Sequence, residues 1–270
     1  MDLGLTDRKA IVCASSRGLG KACAVALARE GVHVVVNGRS AETLDRAAFE
    51  ISSGAKGSVT PVVADLNTEE GRAKLLAACP DADILVNNND GPPPGNFAQW
   101  GEAEWRAALD ANMLAPLFMI KGLMEGMKER RFGRIVNITS AMVKAPRAVM
   151  GLSTAARSGL TAMCKGLSTD LAPFNVTINN MLPERFDTDR QKKMAELAMA
   201  FKKITMEEAR AEIESSIAAK RMGDPSEFGD ACAFLCSAQA GFILSLLPLR
   251  SCRPSGLPRS REAPTDATPE

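Results

Sequence analysis

Lys9-Ala10-Ile11-Val12-Cys13-Ala14-Ser15-Ser16-Arg17-Gly18-Leu19-Gly20-Lys21 decides how the rest of the chain is read. A short apolar run enters a Ser/Gly turn, and residues 21–30 then repeat apolar positions at helical spacing. That is a strand, a tight turn and a helix. Working outward, the same alternation recurs. β-Branched runs at 32–36, 59–64, 84–87, 134–139 and 176–180 predict strands. Helical patterns at 41–52, 69–78, 102–131 and 153–172 separate them, the third with a break near 112–116. Continuous apolar strands divided by helices predict a parallel sheet buried on both faces. Right-handed crossovers make it an α/β, doubly wound sheet that binds ligands at the carboxyl ends of its strands. Residues 188–220 read as one long Met- and Lys-containing helical stretch, and 225–237 as another helix.

The composition narrows the chemistry. A chain of 270 residues suits one domain, and 46% hydrophobic with 24% charged residues excludes wholesale disorder and coiled coil. A net charge of +1 gives no global field for nucleic acid or an anionic membrane. The strongest apolar run, 242–249, contains Pro248 and falls far short of the ~20 residues of a membrane span. The first eight residues do not form a signal peptide, so a cytoplasmic protein is expected. Seven cysteines, an odd number without a CxxC pair, read as reduced thiols. The one histidine, His33, lies in the apolar run 32–36 and reads as a strand residue, so no His-based metal site is expected. There is no tyrosine anywhere.

Within the opening turn, Ser15, Ser16, Arg17, Gly18, Leu19 and Gly20 are candidate cofactor-binding residues. Gly18 and Gly20 allow close backbone approach to a pyrophosphate, and the helix start offers unpaired N–H groups. A tight turn without a ligand is the alternative. The second strand ends Val36-Asn37-Gly38-Arg39, with an arginine where an acidic residue would suit a ribose 2′-hydroxyl. Arg17 and Arg39 together suit a 2′-phosphate, because guanidinium binds phosphate as a fork. NADP(H) is therefore the expected cofactor, against the alternative of two solvated surface arginines.

These features, followed by Asp65-Leu66, Asn87-Asn88-Asn89-Asp90-Gly91, Asn112, Asn137-Ile138-Thr139-Ser140 and Leu182-Pro183 with Thr188, resemble the short-chain dehydrogenase/reductase family. The likeness covers residues 9–237 and is nearest to its 3-oxoacyl-(acyl-carrier-protein)-reductase-like members. It implies a single Rossmann-type domain. It also implies that Asp65 and Leu66 flank the adenine, that Asn87 supports the adenosine half, and that Pro183 and Thr188 lie at the nicotinamide. The family's catalytic set is Asn, Ser, Tyr and Lys, with Tyr thirteen residues after Ser and Lys four beyond. Here Asn112 and Ser140 match, but the last two positions hold Ser153 and Arg157, and Ser158-Gly159-Leu160 keeps the register. A serine hydroxyl is a far weaker acid than a phenol, and arginine keeps its proton. Arg157, one helical turn beyond Ser153, is also placed to reach a nicotinamide ribose. Lys144, or a water held by Asn112, Ser140 and Ser153, is a candidate proton donor.

The expectation is thus an NADP(H)-dependent oxidoreductase acting on a small-molecule carbonyl or alcohol. The rivals are a cofactor-binding pseudoenzyme and a structural subunit. Three local departures bear on the site. Ala14 replaces the first glycine and is expected at negative φ. Asn89-Asp90 stands where the family has Ala-Gly, and Glu184 follows Pro183 where it has glycine; Gly91-Pro92-Pro93-Pro94-Gly95 forms a stiff loop beside the expected cleft, a substrate wall or a simple rigid connector. After Ile243 the family's last strand is replaced by Leu244-Ser245-Leu246-Leu247-Pro248, and five of the fifteen prolines fall in 248–270. The domain is accordingly set at 1–247, with 248–270 expected to be a disordered tail and any homo-oligomer weakened. An altered reading frame would explain the abrupt change in composition.

Overall fold

Six strands pair in the order β3-β2-β1-β4-β5-β6, all parallel, in a computed structural model that describes residues 1–244. They are β1 (Lys9–Val12), β2 (His33–Gly38), β3 (Val59–Val63), β4 (Ile84–Asn87), β5 (Gly133–Ile138) and β6 (Val176–Met181). The strand order reverses between β1 and β4, which places the turn after β1 beside the loop after β4. That juncture is where a doubly wound sheet binds ligands.

Alternate residues of each strand enter the two layers of the core, because side chains in a strand point to opposite faces. Val12, Val34, Val36, Val86 and Val136 meet one layer, and Ile11, Val35, Leu85, Ile135 and Ile178 the other. The first layer is covered by α1 (Gly18–Arg29), α2 (Ala41–Ser52) and α9 (Pro225–Cys236). The second is covered by α3 (Glu69–Ala78), α5 (Ala115–Glu129) and α6 (Gly151–Leu171). A Cβ on Gly229 would stand 2.4 Å from the Ala22 carbonyl oxygen, so only glycine lets α9 approach α1 this closely.

The expected break near 112–116 is a π-turn, Asp110–Leu114, between α4 (Glu102–Leu109) and α5. The stretch Glu102–Glu129 is long and apolar enough to cross a membrane, with a mean hydropathy of 1.2 over an 18-residue window, yet α5 packs against the sheet as a core helix. The stretch 188–220 needs correction. It forms two helices, α7 (Asp189–Lys202) and α8 (Met206–Ser215). Lys203 ends the first at φ +56°, and Thr205 caps the second in a box with Glu208. His33 stays structural: its Nδ1 accepts from Ser58 N at 3.1 Å, at the entrance to β2. The six cysteines among the described residues are unpaired and buried. Burial pushes the Cys13 thiol up to about 12 and Cys164 to about 11, so both are unreactive. The expectations for 248–270 lie outside the described residues.

Ala14 also departs from expectation, with φ +44° in the left-handed region. Two bonds hold it there: its N–H donates to Asn37 Oδ1 at 3.2 Å, and its carbonyl accepts from Asn88 Nδ2 at 3.1 Å. A non-glycine residue in this region costs about 1–2 kcal/mol. Ala14→Gly is therefore expected to stabilise the chain by about 0.5–1 kcal/mol, once the extra freedom of the unfolded glycine is set against the relieved strain. A urea midpoint that fails to rise contradicts this.

Candidate active site

The turn after β1 is fixed by side-chain bonds to the neighbouring strand. Ser15 Oγ donates to the Val12 carbonyl at 2.7 Å and accepts from Asn37 N at 2.9 Å, which locks the turn to β2. A Cβ on Gly20 would meet the Ala14 carbonyl oxygen at 2.5 Å, so the backbone passes where no side chain fits. Gly18 takes φ +57°, and Thr188, the N-cap of α7, faces it with Cγ2 3.9 Å from an ideal Cβ position. Helix α1 has Arg17 as its N-cap, with no capping side-chain bond and no acid in its first turn. Its first N–H groups therefore remain available to a phosphate.

Arg17 and Arg39 come together at one end of this groove, but around a residue not singled out for a role. Asp90, in the loop after β4, accepts from Arg39 Nη2 at 2.6 Å and lies 3.8 Å from Arg17 Nη2. All three side chains are more than half exposed, so this pairing is easily exchanged. A carboxylate thus stands against the two cations assigned to a 2′-phosphate. Its visible sequence signal was the replacement of the usual small residues after Asn88 by Asn89-Asp90.

Asp65 and Leu66 follow β3, with Asp65 Oδ1 accepting from Asn67 N at 3.0 Å and Leu66 buried. Asn87 is buried, and its side chain enters the core. Nδ2 donates to Asn137 Oδ1 at 2.9 Å, and Asn137 Nδ2 donates in turn to Asn180 Oδ1 at 3.0 Å. The sheet register sets Asn87 opposite Asn137 and Asn137 opposite Asn180, so three amides form a ladder across the ends of β4, β5 and β6. Each asparagine is visible in the sequence, but their alignment depends on register between distant strands.

The π-turn presents Asn112, which is buried. Its Nδ2 donates to the Asp90 carbonyl at 3.3 Å, and its Oδ1 has no partner among the described residues. Ser140 ends the run after β5, where Oγ accepts from Met142 N at 3.2 Å and Ala141 N donates to the Pro183 carbonyl at 3.0 Å. Lys144 is exposed on the loop beyond. Ser153 and Arg157 lie a turn apart on α6, 4% and 9% exposed. Arg157 Nε donates to Ser153 Oγ at 3.2 Å, while Nη1 donates to the Ile138 and Thr139 carbonyls at 2.7 and 2.9 Å. Burial, and secondarily Arg190, lowers its pKa to about 10, so it stays charged at neutral pH. Arg157 thus joins Ser153 to the backbone beside Ser140. Its Nη2 approaches Gly91, one residue from the Asp90 carbonyl that holds Asn112.

Comparison with known proteins gives the family of the chain. A family model described as short chain dehydrogenase matches residues 8–198. The NADPH-dependent reductase BacG of Bacillus subtilis is 31% identical over 244 residues, covering 88% of this chain and 94% of that protein. The 3-oxoacyl-[acyl-carrier-protein] reductase FabG of Vibrio cholerae is 29% identical over 244 residues, covering 89% and 94%. Among solved structures, the L-sorbose reductase of Gluconobacter frateurii, complexed with NADPH and L-sorbose, superposes with a TM-score of 0.86. It is 25% identical and covers 91% of this chain and 95% of its own. By these matches the chain belongs to the short-chain dehydrogenase family.

Proposed function

We propose that this chain is an NADP(H)-dependent oxidoreductase that moves hydride between the cofactor and a small-molecule carbonyl or alcohol. Ser153 and Arg157 stand in the places that its family gives to tyrosine and lysine. The observation that carries the reading is the uncapped, acid-free start of α1, where Gly20 leaves a space that no Cβ can enter. Ser15, Ser16, Arg17, Gly18, Leu19 and Gly20 hold the pyrophosphate. Arg39 turns from Asp90 to the 2′-phosphate, Asp65 and Leu66 border the adenine, and Pro183 and Thr188 face the nicotinamide. Asn87 acts from behind, by keeping the ends of β4 and β5 in register.

When bound, the cofactor exchanges a hydride with the substrate carbon. The chain's own task is the oxygen. The Ser153 hydroxyl accepts from Arg157 and donates no bond among the described residues, so its O–H is available to a substrate oxygen. Ser140 holds the same oxygen from the end of β5. The buried, unpartnered Oδ1 of Asn112 is an acceptor suited to a water that delivers the proton. Arg157 stabilises negative charge and retains its own proton. The second reading, a cofactor-binding protein with little turnover, is favoured by the three bonds that turn Arg157 toward the protein and away from a ribose. A homo-oligomer is the assembly expected of such a chain.

NADPH is expected to bind more tightly than NADH. Arg39→Asp should cut that preference about tenfold or more, since a charge-assisted bond contributes about 1.5–3 kcal/mol and the new carboxylate repels the phosphate. Calorimetric titration of both cofactors against both proteins measures it. Equal affinities, or a preference for NADH, overturn the cofactor assignment.

A further inference from the structure

Two guanidiniums from distant parts of the chain meet at Gly91. A Cβ on Gly91 would lie 3.4 Å from Arg157 Nη2 and 3.5 and 3.6 Å from Arg190 Nη1 and Nη2. The two come from separate elements, Arg157 from α6 and Arg190 from the first turn of α7. Arg157 spends Nε and Nη1 on Ser153, Ile138 and Thr139, and no bond among the described residues uses Nη2. Arg190 makes two long bonds, to the Gly91 carbonyl at 3.4 Å and the Pro92 carbonyl at 3.5 Å. Neither arginine has a carboxylate within ion-pair distance among the described residues. Asp90 pairs with Arg39, Asp187 with Arg210, and Glu184 lies beside Arg185, while Asp189, next to Arg190 in the first turn of α7, makes no ion pair with either arginine among the described residues.

Left alone, this arrangement is electrostatically costly. Arg157 is a buried cation whose partners are carbonyls and one hydroxyl, and Arg190 adds a like charge that disfavours it further. Arg190 also sits in the first turn of a helix, at the positive end of a dipole that Asp189 beside it offsets in part, behind an N-cap that makes no side-chain bond. An anion over Gly91 relieves all three costs. Glycine leaves the approach clear, and forked guanidiniums match planar or tetrahedral oxyanions.

We infer that Arg157 and Arg190 form an anion clamp over Gly91, beside Ser153, that takes a carboxylate or phosphate oxyanion. This rests on the oxidoreductase reading and sharpens its substrate class to carbonyl compounds carrying a carboxylate, such as oxo acids. The same chemistry has a second source in the cofactor's pyrophosphate.

Arg190→Gln removes one charge from an exposed position and leaves the hydroxyl-bearing residues intact. Acetoacetate and its uncharged methyl ester are titrated into the NADP⁺-saturated wild-type and variant proteins. NADPH is titrated into each separately. Acetoacetate is expected to bind the variant about tenfold more weakly than wild type, with the ester unaffected and NADPH affinity unchanged. If the variant instead binds NADPH about tenfold more weakly and acetoacetate binds neither protein, the clamp stands with pyrophosphate as its anion. Unchanged NADPH affinity with acetoacetate binding equally, or to neither protein, overturns the clamp. If wild type binds no NADPH, the oxidoreductase reading fails on its own. The clamp is then decided by acetoacetate and inorganic phosphate on the cofactor-free proteins: weaker binding to the variant supports it, and equal or no binding overturns it.

Discussion

Ketone reduction by the double variant Ser153→Tyr with Arg157→Lys is expected to exceed that of the wild-type chain by about 10²–10⁴-fold, the usual contribution of a general acid. A phenol titrates near pKa ~10 and an adjacent ammonium lowers it further, so it exchanges a proton near neutral pH. The Ser153 hydroxyl has no such access to its anion. Arg157 commits its Nε and Nη1 hydrogens to Ser153 and two backbone carbonyls, so it offers charge rather than a proton to the substrate. Ser153→Tyr alone should gain less, since Arg157 is already committed to the Ile138 and Thr139 carbonyls and cannot turn fully toward a phenol. NADPH oxidation followed by absorbance measures all three proteins. A wild-type chain with ordinary reductase rates that fall in the double variant would show that Ser153 and Arg157 support their own mechanism. Activity that remains near zero in every protein would favour cofactor binding without turnover.

Arg134→Met is expected to destabilise the fold by about 3 kcal/mol. Arg134, in β5, is 1% exposed, among the most deeply buried large side chains described. Its Nε donates to the Ser237 carbonyl at 3.0 Å, and Nη1 to the carbonyls of Gly133 and Asn175, both at 2.9 Å. The guanidinium also lies 4.4 Å from the Phe132 ring centroid. Burial pulls its pKa down, yet carbonyl oxygens rather than a carboxylate surround it. The side chain thus joins β5, the turn before β6 and the end of α9. Methionine keeps much of the length and none of the donors, and each stranded buried acceptor costs about 1–3 kcal/mol. Arg134→Lys keeps the charge without the fork and should fall between the two. Urea unfolding reads the difference; a loss below about 1 kcal/mol would show that the carbonyls find other donors.

How legible the molecule was depends on distance along the chain. Helix α2 (Ala41–Ser52) and helix α3 (Glu69–Ala78) begin and end where their sequences predict, because Ser40 and Thr68 cap them with side-chain oxygens. The break in the 102–131 pattern was visible as well. The split between α7 and α8 was missed, since Lys203 carries no glycine-like signal for its positive φ. At Ala14 the opposite sign of φ was expected. Its strain is imposed by Asn37 and Asn88, from two other strand ends, which no local pattern encodes.

The sequence alone determined the alternation of strand and helix, the parallel doubly wound sheet and the glycine turn after β1. It also carries the family resemblance, which implies that Ser153 and Arg157 fall at the tyrosine and lysine positions. The first three follow from periodicity, turn chemistry and spacing, all of which act over a few residues or are counted along the chain. Tertiary structure alone decided which charges meet. Asp90 lies 51 residues from Arg39 and accepts from it, and Arg190 reaches a glycine 99 residues away. The amides of Asn87, Asn137 and Asn180 align only through strand register. The inward turn of Arg157 depends on two carbonyls exposed where β5 ends. Such partnerships depend on packing between segments remote in sequence, where burial and the need to satisfy polar groups select one neighbour among many.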